Sequence, residues 1–358
     1  MQIRTCVPLW LMVVLAPSLM LLLVSPIADR IDLPPPVTGL SYGFYERSCP
    51  KAERIVKQMM KAFLTPNVSQ AAGVIRLFFH DCFVQGCDGS VLINDTQGEQ
   101  PAIPNRTLRA SALAIIEQIK TKLESVCPNK VSCADVLALA AREAIRRAKG
   151  SHFHIPTGRR DSLNFANSTT VLANLPGPTF NTSQLLLSFG SKGLNAIDLV
   201  ALSGAHTVGL AHCGTFSKRL RPTVDPRLNP TFAESLIQTC PNSSINVAVN
   251  MDIVTPNKFD NKYYSNIVNG EVVFNSDATL LEDSRTRATV EEFAAEDHEF
   301  HHHFTISFIK MSMIEVLTGN QGNIRKVCSV LNSKTTPIIT TTDSHVESEL
   351  DTPSYATM

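Results

Sequence analysis

The stretch "RLFFHDCFVQGCDGS", Arg76 to Ser90, gathers an arginine, a histidine, two aspartates and two cysteines among apolar residues. Arg76 and His80 are four apart, so on a helix they lie one above the other on one face. The flanking "AAGVI" and "LFF" are apolar, so that face is buried or lines a pocket. An arginine taken into such a place needs an anion or a watered cavity. Histidine exchanges a proton near neutral pH and arginine stabilises negative charge, so the pair suits splitting a bond whose leaving group is an oxyanion. A satisfied core pair is the plainer reading. Next to it, Asp81, Asp88 and Ser90 offer hard oxygen ligands in a short loop, with Gly86 and Gly89 allowing tight backbone. That donor set suits calcium, although the spacing is not that of an EF-hand. Cys82 and Cys87 could close the loop on itself. Metal site, acid–base pair and disulfide-held turn all stand open on these residues alone.

Chemistry-bearing residues recur downstream. His206, in "ALSGAHTVG", follows two small residues at the end of an apolar helix pattern, where a flat ligand could approach. One neutral imidazole can hold a haem iron and leave the opposite face open; a structural histidine is the alternative. Asp252, Thr255 and Asp260 in "NMDIVTPNKFDNKYY" are again calcium-like ligands, and Asp277 in "FNSDATLL" could orient a metal-bound histidine.

The elements that must position these groups read as helices. Ile55, Val56, Met59, Met60 and Phe63 form a stripe of helical period after Pro50. "VSCADVLALAAREAIRRA" opens with Ser132 and Asp135 in capping-box spacing, and "LNAIDLVALSGAHTVG" repeats the device with Asn195 and Asp198. Extended, alternating segments are few, so the fold class is mainly α. The loop "NSTTVLANLPGPTFNTS", Asn167 to Ser183, marks a boundary between two halves.

At 358 residues the chain can bury a sizeable core in one large domain or two modest ones. Lysine plus arginine equal aspartate plus glutamate at 32 each, which argues against nucleic acid or an anionic membrane surface as partner. Arg4, an apolar run from Val7 to Val24 and the charges at Asp29 and Arg30 have the layout of a secretory signal peptide. It covers residues 1–28, with cleavage as late as 39. An uncleaved anchor is the rival, opposed by Pro17, Ser18 and the lack of a stop-transfer pattern. Of nine cysteines Cys6 lies in this leader, leaving eight, an even number that reads as a disulfide framework in an oxidising compartment. Zinc is the weaker reading because no CxxC pair occurs. Sequons begin at Asn67, Asn94, Asn105, Asn167, Asn181 and Asn242, pointing to a glycoprotein. Residues 333–358 are polar and threonine-rich, a tail or removable propeptide.

"RLFFHDCFVQGCDGS", "VSCADVLALAAR", "GRRDS", "LVALSGAHTVG", "TPNKFDNKYY" and "LTGNQGNIRKVC" together resemble the secretory plant haem peroxidases, class III of the plant peroxidase superfamily. The likeness runs in order from about Ser41 to Asn332 and includes all eight cysteines outside the leader. It implies a helical peroxidase domain over 41–332, with one haem b between a distal half (about 41–178) and a proximal half (about 179–332). By resemblance His206 is the axial iron ligand, and Asp277 accepts its other ring proton and favours high-valent iron. His80 takes a proton from hydrogen peroxide and passes it to the distal oxygen, while Arg76 stabilises the charge that develops. Phe79 packs over the haem. Asn105 holds His80 basic and correctly turned, with Glu99 behind it, so its sequon is expected to be unused. Pro176 marks the rim where aromatic donors approach.

The same resemblance implies two calcium ions. Asp81, Asp88 and Ser90, with carbonyls of Val84 and Gly86, would hold the distal one, and Thr207, Asp252, Thr255 and Asp260 the proximal one. It also implies the pairings Cys49–Cys127, Cys82–Cys87, Cys133–Cys328 and Cys213–Cys240. Three departures stand out. "KGSHF" puts Phe153 where the family carries tryptophan, a structural position. Ile103 and Thr179 do not reproduce the aromatic residues of the haem edge. The run His301–His303 in "HEFHHHF" reads as a solvated surface rather than a metal site. The implied enzyme is a secreted monomer of the cell wall or apoplast, or of the vacuole if the tail is a targeting propeptide, with no membrane span once the leader is gone. It uses hydrogen peroxide to oxidise phenolic and other aromatic donors by one-electron steps, serving peroxide catabolism, oxidative stress or lignin formation. The alternatives are a non-catalytic, calcium-bound wall glycoprotein of the same fold, which the intact set Arg76, His80, Asn105, His206 and Asp277 opposes, and a hydrolase built on His80 and Asp81, which lacks a nucleophile.

Overall fold

A computed structural model describes residues 33–241 and 247–332. The leader, Asn242 and the threonine-rich tail lie outside the described residues. The described residues from Pro34 to Asn332 form one compact unit. It is mainly α, as expected. Four helices come first: α1 (Ala52–Leu64), α2 (Ala71–Phe83), α3 (Ala110–Val126) and α4 (Cys133–Arg147). They are followed by α5 (Ser168–Asn174), α6 (Thr182–Gly190), α7 (Ala196–Ser203), α8 (Cys213–Phe216) and α9 (Pro230–Thr239). The last four are α10 (Lys262–Val268), α11 (Asn275–Ala278), α12 (Arg287–Ala295) and α13 (Asp297–Met311).

α4 is the centre of the first group and packs against α1, α2 and α3. Every residue from Cys133 to Ile145 is buried. Its five alanines present little bulk, so neighbouring helices approach closely while the backbone keeps its best helix formers. The capping box expected at its start is only half formed. Ser132 Oγ accepts from the Asp135 amide at 3.1 Å, but the Asp135 carboxylate turns elsewhere. It accepts from Tyr45 Oη (2.6 Å), the Gly158 amide (2.7 Å) and Arg159 Nη1 (2.7 Å). Arg159 in turn donates to the Ser312 carbonyl at the end of α13. A buried cation outbids a helix-terminal amide for the one carboxylate within reach. The box at Asn195 and Asp198 is complete, and Asp198 also holds Ser307 and Lys310 of α13.

Strands β1 (Leu210–His212) and β2 (Ala248–Asn250) form an antiparallel pair in which Leu210 faces Asn250. That register carries Thr207, just before β1, to Asp252, just after β2. All four implied disulfides are formed: Cys49–Cys127, Cys82–Cys87, Cys133–Cys328 and Cys213–Cys240. No cysteine of the described chain is left for a thiolate zinc site. Phe153 is buried edge-on against Phe308, a core role.

The run His301–His303 corrects the sequence reading. All three are half-buried rather than solvated. Phe300, Phe304 and Phe308 point α13 inward at helical period, so the residues flanking that stripe are drawn partly into the core. His301 leans on Phe259, and His303 lies on Phe293.

Candidate active site

Two clusters form around the two histidines. On α2, His80 is buried, and its Nδ1 lies 2.5 Å from Asn105 Oδ1. The Asn105 amide nitrogen donates to the Glu99 carbonyl at 2.9 Å. Since the amide oxygen faces the ring, Nδ1 carries the proton and Nε2 is the free acceptor. Glu99 therefore acts through its main chain; its carboxylate accepts from the Ala166 amide instead. Burial, then the Arg76 charge, pushes His80 down to about 3 against the opposing Asn105 bond. The imidazole is neutral at neutral pH. Burial pushes the Glu99 carboxyl up to about 7.

Arg76, on the same face of α2, donates to the Pro104 carbonyl (2.8 Å) and to the carbonyl and hydroxyl of Thr107 (3.0 Å each). Burial, then Arg109, lowers it to about 10, so it stays charged. Residues 103–107 thus bridge Arg76 and His80. Thr107 and Pro104 were missed in the sequence because their partners are backbone and hydroxyl groups with no motif of their own. Phe79 stacks on Phe83 at 4.3 Å and stands edge-on to His80. Pro176 is half-buried on the link between α5 and α6. Ile103 is well exposed.

The loop after α2 is folded by its glycines. Gly86 has φ +103°, and a Cβ there would meet the Glu315 carbonyl oxygen at 2.5 Å. The Gly86 carbonyl accepts from the Asp88 amide, Asp81 Oδ2 from the Gly89 amide, and Asp88 Oδ1 from the Ser90 amide. Asp81 Oδ1 is buried with no partner among the described residues. Burial, then the neighbouring Asp88, raises the Asp81 carboxyl well above its ordinary range, and burial raises Asp88 too. Two crowded carboxylates with an orphaned oxygen fit a hard cation. Arg325, which the sequence reading overlooked, sends its guanidinium to the Gly89 carbonyl.

His206 lies on a single 3₁₀ turn, Gly204–Thr207, after α7. Its Nδ1 is 2.9 Å from Asp277 Oδ1, which also accepts from Tyr263 Oη at 2.9 Å. With Nδ1 spent, Nε2 is left to act as a ligand. The His206 side chain is 36% exposed while Asp277 is 3% exposed, so the carboxylate is sheltered and the ring faces open space. Tyr263 was invisible as a site residue because in "KYY" it reads as core. Immediately after His206, Thr207 Oγ1 meets Asp252 Oδ2 at 3.1 Å. Thr255 Oγ1 meets Asp252 Oδ2 (3.1 Å) and Asp260 Oδ1 (2.9 Å). The four residues expected together are together, and Asn266 Nδ2 joins them on Asp252. Two carboxylates with two hydroxyls are again an oxygen set suited to calcium. Among the described residues no group of three or more His, Cys, Asp or Glu is arranged to hold a metal.

The profile of the family described as Peroxidase matches residues 54–296. "Peroxidase 12" of Arabidopsis thaliana is 47% identical over 304 residues, covering 84% of this chain and 85% of that protein. "Cationic peroxidase SPC4" of Sorghum bicolor is 48% identical over 322 residues, covering 89% of each. "Peroxidase 71" of Arabidopsis thaliana is 41% identical over 317 residues. The chain belongs to the peroxidase family, and it is a haem peroxidase of the plant class III type. The family uses haem and calcium in general, and hydrogen peroxide with aromatic donors. No helix among the described residues is long and apolar enough to cross a membrane.

Proposed function

We propose that His206 Nε2 would hold the iron of one haem b, with Asp277 making that imidazole more basic and His80 facing the same group. Haem, when bound, supplies the redox centre that accepts two oxidising equivalents from peroxide and delivers them to two donors in turn. His80 Nε2 takes the proton from the inner oxygen of hydrogen peroxide and returns it to the outer oxygen, which leaves as water. Arg76 stabilises the negative charge on that leaving oxygen. Asn105 and the Glu99 carbonyl keep Nε2 unprotonated and aimed. Phe79 covers the haem face, and Pro176 lies at the rim taken by phenolic donors.

Two calcium ions complete the assembly: a distal one held by Asp81, Asp88, Ser90 and the carbonyls of Val84 and Gly86, and a proximal one by Thr207, Asp252, Thr255 and Asp260. Each would tie a catalytic histidine's segment to a loop. The observation that carries this reading is the relay from His80 to Asn105 to Glu99, which leaves a neutral imidazole with a free acceptor nitrogen. The leader-like residues 1–28 and four disulfides support export through an oxidising compartment. We read residues 41–332 as the enzyme, acting as a monomer in the wall or apoplast. The threonine-rich residues 333–358 decide between that destination and the vacuole. A Soret band in the purified protein and peroxide-dependent oxidation of a simple phenol test the reading. A haem-loaded protein that oxidises no phenol would favour the non-catalytic wall glycoprotein instead.

A further inference from the structure

The four histidines of α13 divide into two kinds. His301 Nε2 lies 3.5 Å from Asp297, one turn back, and its ring leans on Phe259 and Phe300. His303 Nε2 is 4.0 Å from Glu299, and its ring lies on Phe293. His298 and His302 are different. They are four residues apart on the outer face, with ring centroids 6.4 Å apart and planes within 24° of parallel. The His298 side chain is 67% exposed, so it is free to turn. His302 has no hydrogen bond or ion pair among the described residues.

We propose that His298 and His302 form a two-imidazole chelate for a first-row divalent transition ion such as Zn²⁺, Ni²⁺ or Cu²⁺. Neutral imidazole nitrogens select these ions over calcium, which takes oxygen. Two metal–nitrogen bonds of about 2 Å bridge the pair once the exposed His298 ring swings toward its partner. Glu299 Oε1 lies 3.5 Å from His298 Nδ1, so a carboxylate is at hand to take that ring's other proton once Nε2 binds the ion. The surroundings attract cations as well. From residue 288 to 309 there are five carboxylates, Glu291, Glu292, Glu296, Asp297 and Glu299, and no lysine or arginine.

Residues 298–302 also carry the His-Glu-x-x-His spacing of zinc hydrolases. Here Glu299 reaches toward His298 and His303 rather than the open side, so this is a binding site without hydrolytic machinery. Phe300, between the two ligands, packs on Tyr264 and would be struck by a Cβ at Gly204, two residues before His206. An ion pinning the first turn of α13 therefore stiffens the helix that lies behind the proximal histidine.

The test is calorimetric titration of the haem-loaded, calcium-saturated protein with Zn²⁺ at neutral pH. One Zn²⁺ equivalent binds, and His298→Gln and His302→Gln each weaken it by at least about tenfold. His303→Gln leaves it unchanged although its ring is 5.2 Å from that of His302, as does His152→Gln, which breaks a separate pair of neighbouring imidazoles, His152 and His154. Zn²⁺ also raises the melting temperature of the parent but not of the His298→Gln His302→Gln double variant. An unchanged Soret band in each variant shows that the fold is intact. Absence of Zn²⁺ binding to the parent, full binding by the double variant, or equal loss in His303→Gln or His152→Gln would overturn the proposal.

Discussion

Asp135→Asn removes one charge and no volume from the most buried ion pair among the described residues. Asp135 and Arg159 are 2.7 Å apart, and both side chains are fully buried. At an effective dielectric near 20, that separation corresponds to roughly 6 kcal/mol of gross attraction. Arg159 keeps the carbonyls of Pro156 and Ser312 after the change, which offsets part of the loss. The amide also presents an N–H to a site where three donors already converge. A net cost of about 3–5 kcal/mol follows from leaving a buried guanidinium without its counter-charge. At about 2 °C per kcal/mol or slightly less for a chain of this length, the melting temperature falls by roughly 5–10 °C. Urea unfolding followed by far-ultraviolet circular dichroism, with calcium present, measures the free-energy cost. Adding Arg159→Met removes the stranded charge and restores about 2 kcal/mol of the loss. A cost for Asp135→Asn below about 1 kcal/mol, or a double variant no more stable than the single, would refute the claim that charge pairing holds this junction.

Three other outcomes are expected. Because burial and Arg76 hold His80 down at about 3, the rate of reaction with peroxide stays level from neutral pH to about 4 and drops as the imidazole protonates below that. A stopped-flow profile falling with a midpoint near the ordinary histidine value of about 6.5 would contradict this. For the metal-free protein, the raised Asp81 and Asp88 carboxyls mean that the folded chain binds more protons than the unfolded one. Its stability therefore declines as pH rises from about 4 toward neutrality, and calcium removes that slope. Melting curves across pH in chelator and in calcium check the sign; parallel curves would count against a distal ion. Asn105 is 3% exposed and bonded on both sides of its amide, so peptide mapping by mass spectrometry finds it bare, whereas Asn67, Asn94, Asn167 and Asn181 are exposed.

Much of this site could be read from the sequence because its parts lie close together in it. Arg76, His80, Asp81 and Asp88 sit on one helix and its following loop, where spacing alone dictates which groups meet. Thr207 and Asp252 are far apart in sequence, yet a short strand pair of fixed register brings them together. The groups that escaped notice work through generic chemistry. Thr107 and Pro104 receive Arg76 through carbonyls, Tyr263 reaches Asp277 from a helix that reads as core, and Glu99 contributes its backbone rather than its carboxylate. Asp135 shows a different failure. Its spacing to Ser132 promised a capping box, but spacing does not reveal that a buried arginine from residues 156–159 arrives to claim the carboxylate. His301–His303 failed because helical phase, not residue polarity, decides how deep a flank of α13 sits.

The central claim is that the two histidines divide the labour, His80 moving the peroxide proton and His206 holding the iron. The most direct measurement compares His80→Ala and His206→Ala by absorption spectrum and by the rate of reaction with hydrogen peroxide. His80→Ala keeps the Soret band and reacts about 10²–10⁴ times more slowly, while His206→Ala fails to retain haem. Loss of haem in both, or a His80→Ala protein that reacts with peroxide as fast as the parent, would contradict the account.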